Sequence, residues 1–193
     1  MQFRPAEPRL LHAAALAFWL LACTALQGCR GPDPVIPASV GATMALTSTS
    51  FQNGRIPPTF TCDGADQSPP LAWTTPPAAT KSLALVVTDL DAPFGVFTHW
   101  LLYNLPPATR QLTQGMEKVP QLSDGSRQGQ NDFDRIGYGG PCPPRGFAHR
   151  YIFRLYALDT PINLAPGGRR NQLESAMRGH VVAEGELIAR YGR

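Results

Sequence analysis

Charged side chains are scarce in this chain: they make up 16% of its 193 residues, against about 25% in an ordinary globular protein. Lysine and arginine together number 17 and aspartate and glutamate 14, so the formal net charge is only +3. That surplus is too small to track a phosphate backbone, which sets nucleic acid aside as a partner. No internal repeat is visible, and repeat architectures are excluded with it. No HExxH, CxxC, GxSxG or P-loop spacing occurs either, so the common signatures of zinc hydrolases, dithiol enzymes, serine hydrolases and NTPases are missing. After residue 28 no apolar run reaches membrane-spanning length. What abounds instead is breakers, with 20 prolines and 18 glycines. Proline alone is about twice its usual ~5% share, and it disrupts helix interiors, so long bundles and coiled coils are excluded. The apolar fraction of 43% excludes a wholly disordered chain. A loop-rich, mostly β domain is left.

The first residues read as an address. Arg4 and Arg9 precede LLHAAALAFWLLACTAL (10–26), which carries no acidic or basic charge beyond His12. A basic start, an apolar stretch and small residues make a secretory signal over 1–28; a retained, unusually short membrane anchor is the alternative. LQGC (26–29) resembles the lipobox of bacterial lipoproteins, with Cys29 as the lipidated residue; LLAC (20–23) competes but cuts the apolar segment early. Diacylation with a third chain exceeds what stable anchoring needs. Arg30 rather than aspartate after the cysteine points to the outer membrane, facing the periplasm. Residues 29–41 then form a lipidated cysteine and Pro-rich tether, and 42–193 one domain of ordinary size.

Within that domain strand signals dominate. LALVVTDLD (83–91) is an apolar, β-branched run, FTHWLLYNL (97–105) a second stopped by Pro106, and HRYIFRLYALD (149–159) and EGELIARY (184–191) alternate. NQLESAMRG (171–179) reads as a short helix closed by Gly179. The polar, Gly-rich stretch 113–137 reads as a long surface loop. Together these predict a mostly antiparallel β fold with one or two short helices near the C-terminus.

Chemistry concentrates in three places. In DLDAP (89–93), period-two geometry places Asp89 and Asp91 on one face about 7 Å apart, as a binding pair or as turn caps. His99 in the second strand shares a face with Phe97, Leu101 and Tyr103, where a lone histidine is more often a core residue. GGPCPPRGFAHRY (139–151) is a stiff loop that returns His149 and Tyr151 on one strand face. The acids, histidines and tyrosine could line one polar pocket with a Pro/Gly rim. Ser126 lacks the glycine spacing of a nucleophile elbow.

Three stretches, TCDGADQSPPLAW (61–73), TDLDAPFGVFTHWLLYNLP (88–106) and GYGGPCPPRGFAHRYIFRLYALD (137–159), resemble in order the phosphatidylethanolamine-binding protein family, in its bacterial kinase-inhibitor-like branch. The likeness runs from about residue 42 to the C-terminus. It implies a β-sandwich of two antiparallel sheets with C-terminal helices, and a pocket for phosphate or phosphorylated headgroups. Carried across residue by residue, that pocket comprises Asp89, Asp91, His99, Pro143, Pro144, His149 and Tyr151. Leu90 departs from the pattern, standing where the family usually has proline between the acids. The resemblance implies no cofactor and no catalytic residue. It also places Cys62 and Cys142 at the pocket rim, where an exported domain would join them in a disulfide; two free thiols are the alternative. Two other functions compete with anion binding: a kinase or protease inhibitor acting through its surface on a protein partner, and a hydrolase using the Asp/His pocket.

Overall fold

The computed structural model describes residues 42–193. The leader over 1–28, Cys29 and the tether over 29–41 lie outside the described residues. In chain order the strands are β1 (Ala42–Thr43), β2 (Leu46–Thr47), β3 (Leu71–Trp73), β4 (Ser82–Asp89), β5 (Phe97–Leu105), β6 (Gln111–Leu112), β7 (Arg127–Gln128), β8 (His149–Leu158) and β9 (Val181–Tyr191). The single α-helix among the described residues, α1, spans Arg170–Met177. Two 3₁₀ turns, Gln52–Gly54 and Pro58–Phe60, lie between β2 and β3.

Two sheets form, one of six strands in the order β1-β9-β8-β4-β5-β7 and one of three in the order β2-β3-β6. Leu83, Leu85, Val87, Trp100, Leu102, Phe153 and Leu155 from the large sheet share one buried cluster with Leu46, Leu71, Trp73 and Leu112 from the small one. Each is removed from water because its strand alternates toward the facing sheet. The fold is therefore mostly β, as the sequence predicts. Most pairings are antiparallel, as expected, and β1 runs parallel to β9 at the sheet edge.

The opposite face of the large sheet has its own core, where Ala84, Val86, Leu101, Tyr103, Tyr156 and Leu158 meet Ile162, Leu173 and Met177. Helix α1 covers this face with Leu173 and Met177, one turn apart on its buried side. Its start is tied by Gln172, whose side chain accepts the Arg169 N–H at 2.9 Å. Because the face is covered, β4 is buried along its whole length, which is why its sequence is a continuous apolar run rather than an alternation.

The stretch 113–137 is not simply a surface loop. It contains β7, which pairs with β5, and it buries Ser126, Gln128 and Asn131 completely. The Gln128 amide receives the Trp100 indole N–H at 2.7 Å and donates to the Glu117 and Val119 carbonyls. A buried indole needs such an acceptor, and a polar stretch folded inward supplies it.

Candidate functional site

Three strand ends meet at one edge of the large sheet: the end of β4 at Asp89 and the starts of β5 and β8 at Phe97 and His149. Asp89 stands directly across from Phe97 on one side and Tyr151 on the other. A cavity of about 430 Å³ opens there, lined among others by Asp89, Phe97, His99, Pro143, Pro144 and His149.

A bulge aims His99 into it. Val87 pairs with Trp100 and Thr88 with Thr98, so His99 is the extra residue in β5. An extra residue interrupts the two-residue alternation and re-aims its side chain. The expectation that His99 shares a face with Leu101 and Tyr103 is therefore corrected: those two belong to the core under α1, whereas the His99 ring lies 5.2 Å from Tyr151 and 5.4 Å from Phe133. Its Nδ1 is 2.6 Å from the Gly139 carbonyl. A carbonyl only accepts, so Nδ1 carries the hydrogen and Nε2 of the neutral ring keeps a lone pair. Burial lowers the His99 pKa, opposed in part by the Gly139 bond and the Asp89 charge, and the ring is neutral at neutral pH.

His149 is oriented differently. Its Nδ1 lies 2.7 Å from Asp89 Oδ2, with both side chains almost fully buried. The other Asp89 oxygen accepts the Asp91 N–H at 2.8 Å. Such a buried carboxylate is tolerated only with partners. With Nδ1 donating to Asp89, the far nitrogen of His149 is left for a ligand. The Phe147 ring stacks on the imidazole at 5.3 Å, itself 73% exposed.

The structure separates the acidic pair. Past Asp89 the chain bends, and Asp91 turns outward: its Oδ1 accepts from the Arg150 guanidinium at 2.6 Å and its Oδ2 accepts the Arg150 backbone N–H at 2.9 Å. The side-chain bond to Arg150 above all lowers the Asp91 pKa to about 2, against the opposing effect of burial. It caps a surface turn and does not line the cavity. Leu90, between them, donates its N–H to the Arg150 carbonyl at 3.2 Å, a bond that the family's usual proline could not make. Tyr151 lies beneath the cavity rather than along it. Its hydroxyl is buried and has no hydrogen-bond partner, and burial with the neighbouring Asp89 charge raises its pKa, keeping it a neutral phenol.

The Pro/Gly loop forms the opposite wall. Cys62 and Cys142 are joined in a disulfide, as the resemblance implies, and Cys142, Pro143 and Pro144 line the cavity. Gly140 is required here: a Cβ on it would sit 2.5 Å from the Phe60 carbonyl oxygen, while its N–H donates to Asp66 at 2.6 Å. A Cβ on Gly139 would strike the Phe133 ring at 2.6 Å.

Among the lining residues that escape sequence reasoning are Asp132 and Phe133. Their signal is the Asn131 side chain, whose oxygen accepts the N–H groups of Phe133 and Arg135 and folds 131–135 into a tight turn. Phe94 at 95% exposure lines the mouth from the other side. No group of three metal-ligating side chains occurs among the described residues, and no helix among them is long and apolar enough to cross a membrane.

Comparison with known proteins agrees with this architecture. A family model described as phosphatidylethanolamine-binding protein matches residues 47–192. A UPF0098 protein of Aquifex aeolicus is 48% identical over 156 residues, covering 79% of this chain and 91% of its own. One from Methanothermobacter thermautotrophicus is 49% identical over 151 residues, 78% of this chain and 99% of that protein. Among solved structures, a phosphatidylethanolamine-binding protein homologue from Chlamydia trachomatis superposes with a TM-score of 0.71 at 39% identity, over 79% of this chain and 99% of that one. YbcL of Escherichia coli, described as a member of the mammalian family, gives 0.72 at 29% identity, over 78% of this chain and 98% of its own. With the model matching nearly all of the described domain and these relatives spanning most of both chains, the chain belongs to the phosphatidylethanolamine-binding protein family.

Proposed function

We propose that the protein is an exported, lipid-anchored binding protein that takes phosphate or a phosphorylated headgroup in the cavity at Asp89, His99 and His149, without turning it over. The observation that carries this reading is the orientation of the two buried imidazoles, each fixed through Nδ1 by a protein acceptor. The Nε2 atoms are thereby left for a ligand. Pro143 and Pro144 carry no N–H, so the donors on this side of the cavity are the two histidines.

Proton count decides how such a site holds an anion. A neutral imidazole offers a lone pair at Nε2, which repels a phosphate oxygen unless a proton lies between them. Binding therefore carries at least one proton, either on the phosphate or on an imidazole. Affinity strengthens as pH falls, by up to about tenfold per unit for each proton taken up. Calorimetry with phosphoethanolamine from pH 8 to 5.5 tests the reading; affinity that stays flat or rises with pH would overturn it. The Asp89–His149 pair also resembles a general base with its orienting acid. Turnover of a phosphomonoester that is abolished by Asp89→Ala would favour that second reading over binding alone. The anchor is checked by palmitate labelling that disappears in Cys29→Ser.

A further inference from the structure

The two halves of the rim disulfide are chemically identical, but their surroundings are not. Cys62 and Cys142 are both exposed residues, so the bond is open to a thiol from solvent. Cys142 lines the cavity, and Cys62 stands outside that lining.

A cation sits at one sulfur. The Arg193 guanidinium directs Nη1 at Cys142 Sγ from 3.7 Å. Arg193 is held there from two sides: its Nε lies 3.1 Å from Asp63 Oδ2, and its backbone carbonyl accepts the Gly146 N–H at 3.3 Å. Asp63, next to Cys62 in the chain, also accepts the Tyr191 hydroxyl at 2.6 Å. Asp66, the other carboxylate of this segment, is taken up by Lys118 and by the Gly140 N–H. A disulfide sulfur is a weak acceptor and gains little from a guanidinium. A thiolate in the same place carries a full charge and gains far more. The surroundings therefore favour an anion at Cys142 when the bond opens, and an acid beside Cys62 disfavours one there.

From this polarity we propose that the Cys62–Cys142 bond is a site of thiol–disulfide exchange with low-molecular-weight thiols, in which Cys142 leaves as the thiolate and Cys62 carries the incoming thiol. The attacking thiolate forms a new S–S bond to Cys62 Sγ as the Sγ–Sγ bond breaks, and the electron pair of the broken bond goes to Cys142 Sγ. The incoming sulfur is oxidised as Cys142 is reduced, so no further oxidant enters. The Cys62 N–H bond to the Pro141 carbonyl, at 3.1 Å, does not involve the sulfurs. It keeps the Cys142 thiolate within reach of Cys62, where attack on the mixed disulfide expels the small thiol and restores the bridge. The site is reversible, and it stands apart from what the cavity binds.

The test treats the folded full chain at pH 7 with excess 2-mercaptoethanol, an uncharged thiol. Early samples are quenched in acid, free thiols are capped with a maleimide, and the tryptic peptides are mapped by mass spectrometry. Trypsin places the two cysteines on different peptides, because Lys81 and Arg135 lie between them. The mixed disulfide should fall on Cys62 at least about threefold more often than on Cys142. Arg193→Gln should make the two sites nearly equal and slow opening about threefold, whereas Arg193→Lys, which keeps the charge, should retain most of the bias. Raising KCl to molar concentration should shrink the bias in the unaltered protein, with no variant needed. Equal labelling of the two cysteines, or a majority on Cys142, overturns the proposal. So does a bridge that opens only in urea. A bias that survives both Arg193→Gln and high salt overturns the role of the guanidinium.

Discussion

Replacing Cys62 and Cys142 together by serine should destabilise the domain without reshaping it. The bridge joins residues 80 apart in sequence, and the loop-closure relation for that length gives about 4 kcal/mol at 25 °C. Whether the loss acts on the folded or the unfolded state can be read from the rim. The two segments are also joined by the Cys62 N–H to the Pro141 carbonyl at 3.1 Å, by the Gly140 N–H to Asp66 at 2.6 Å and by the Tyr138 hydroxyl to the Phe60 carbonyl at 2.7 Å. Those contacts keep the rim in register when the sulfurs are removed, so the effect falls on the entropy of the unfolded chain. Urea unfolding followed by tryptophan fluorescence is the assay. The midpoint should fall by the equivalent of about 4 kcal/mol, or roughly 10–15 °C in melting temperature, and the near-UV spectrum of the folded variant should be preserved. A loss below about 1 kcal/mol, or a folded variant without native near-UV signal, would show that the bridge does not act through the unfolded chain.

Leu173→Ala removes a fully buried contact between α1 and the large sheet and should cost about 2–4 kcal/mol by urea unfolding. Phosphate affinity should not change, because α1 covers the sheet away from the cavity; a shift there would show coupling between the two faces. Asp91→Asn should cost less than about 1 kcal/mol at pH 7, since the Arg150 partner is well exposed. Its folded pKa is about 2 against 3.8, so the ion pair contributes above pH 4, and the difference between variant and parent should disappear as pH falls through 2. Its phosphate affinity should move by less than about twofold, in contrast to any Asp89 variant; a large loss would return Asp91 to the site.

The long elements were legible because each obeys a local rule. The run 83–87 is apolar throughout because both faces of β4 are covered, and β8 alternates around Arg150 and Arg154 because one of its faces is partly exposed there. What escaped depends on partners far along the chain. The bulge at His99 exists only in the register between β4 and β5, and no periodicity within 97–105 contains it. Asp91 looked like the twin of Asp89 because the strand was extended two residues too far; the chain bends at Leu90 and gives Asp91 to Arg150. Asp132 and Phe133 were lost in a polar stretch whose fold is set by one side chain, Asn131, and by a glycine, Gly139, that makes room for the phenyl ring. The residues of the pocket floor could be named from motifs; which nitrogen of each histidine is tied to the protein required the acceptors at Gly139 and Asp89.

In the proposed site His149, held by Asp89, receives a phosphate oxygen. Titration of inorganic phosphate at pH 6 into the parent protein and into His149→Asn tests it most directly, with circular dichroism confirming that the variant is folded. Measurable binding is expected for the parent and a loss of about tenfold or more for the variant, the effect of removing a hydrogen bond to a charged group. Equal phosphate affinity in the two folded proteins would contradict it.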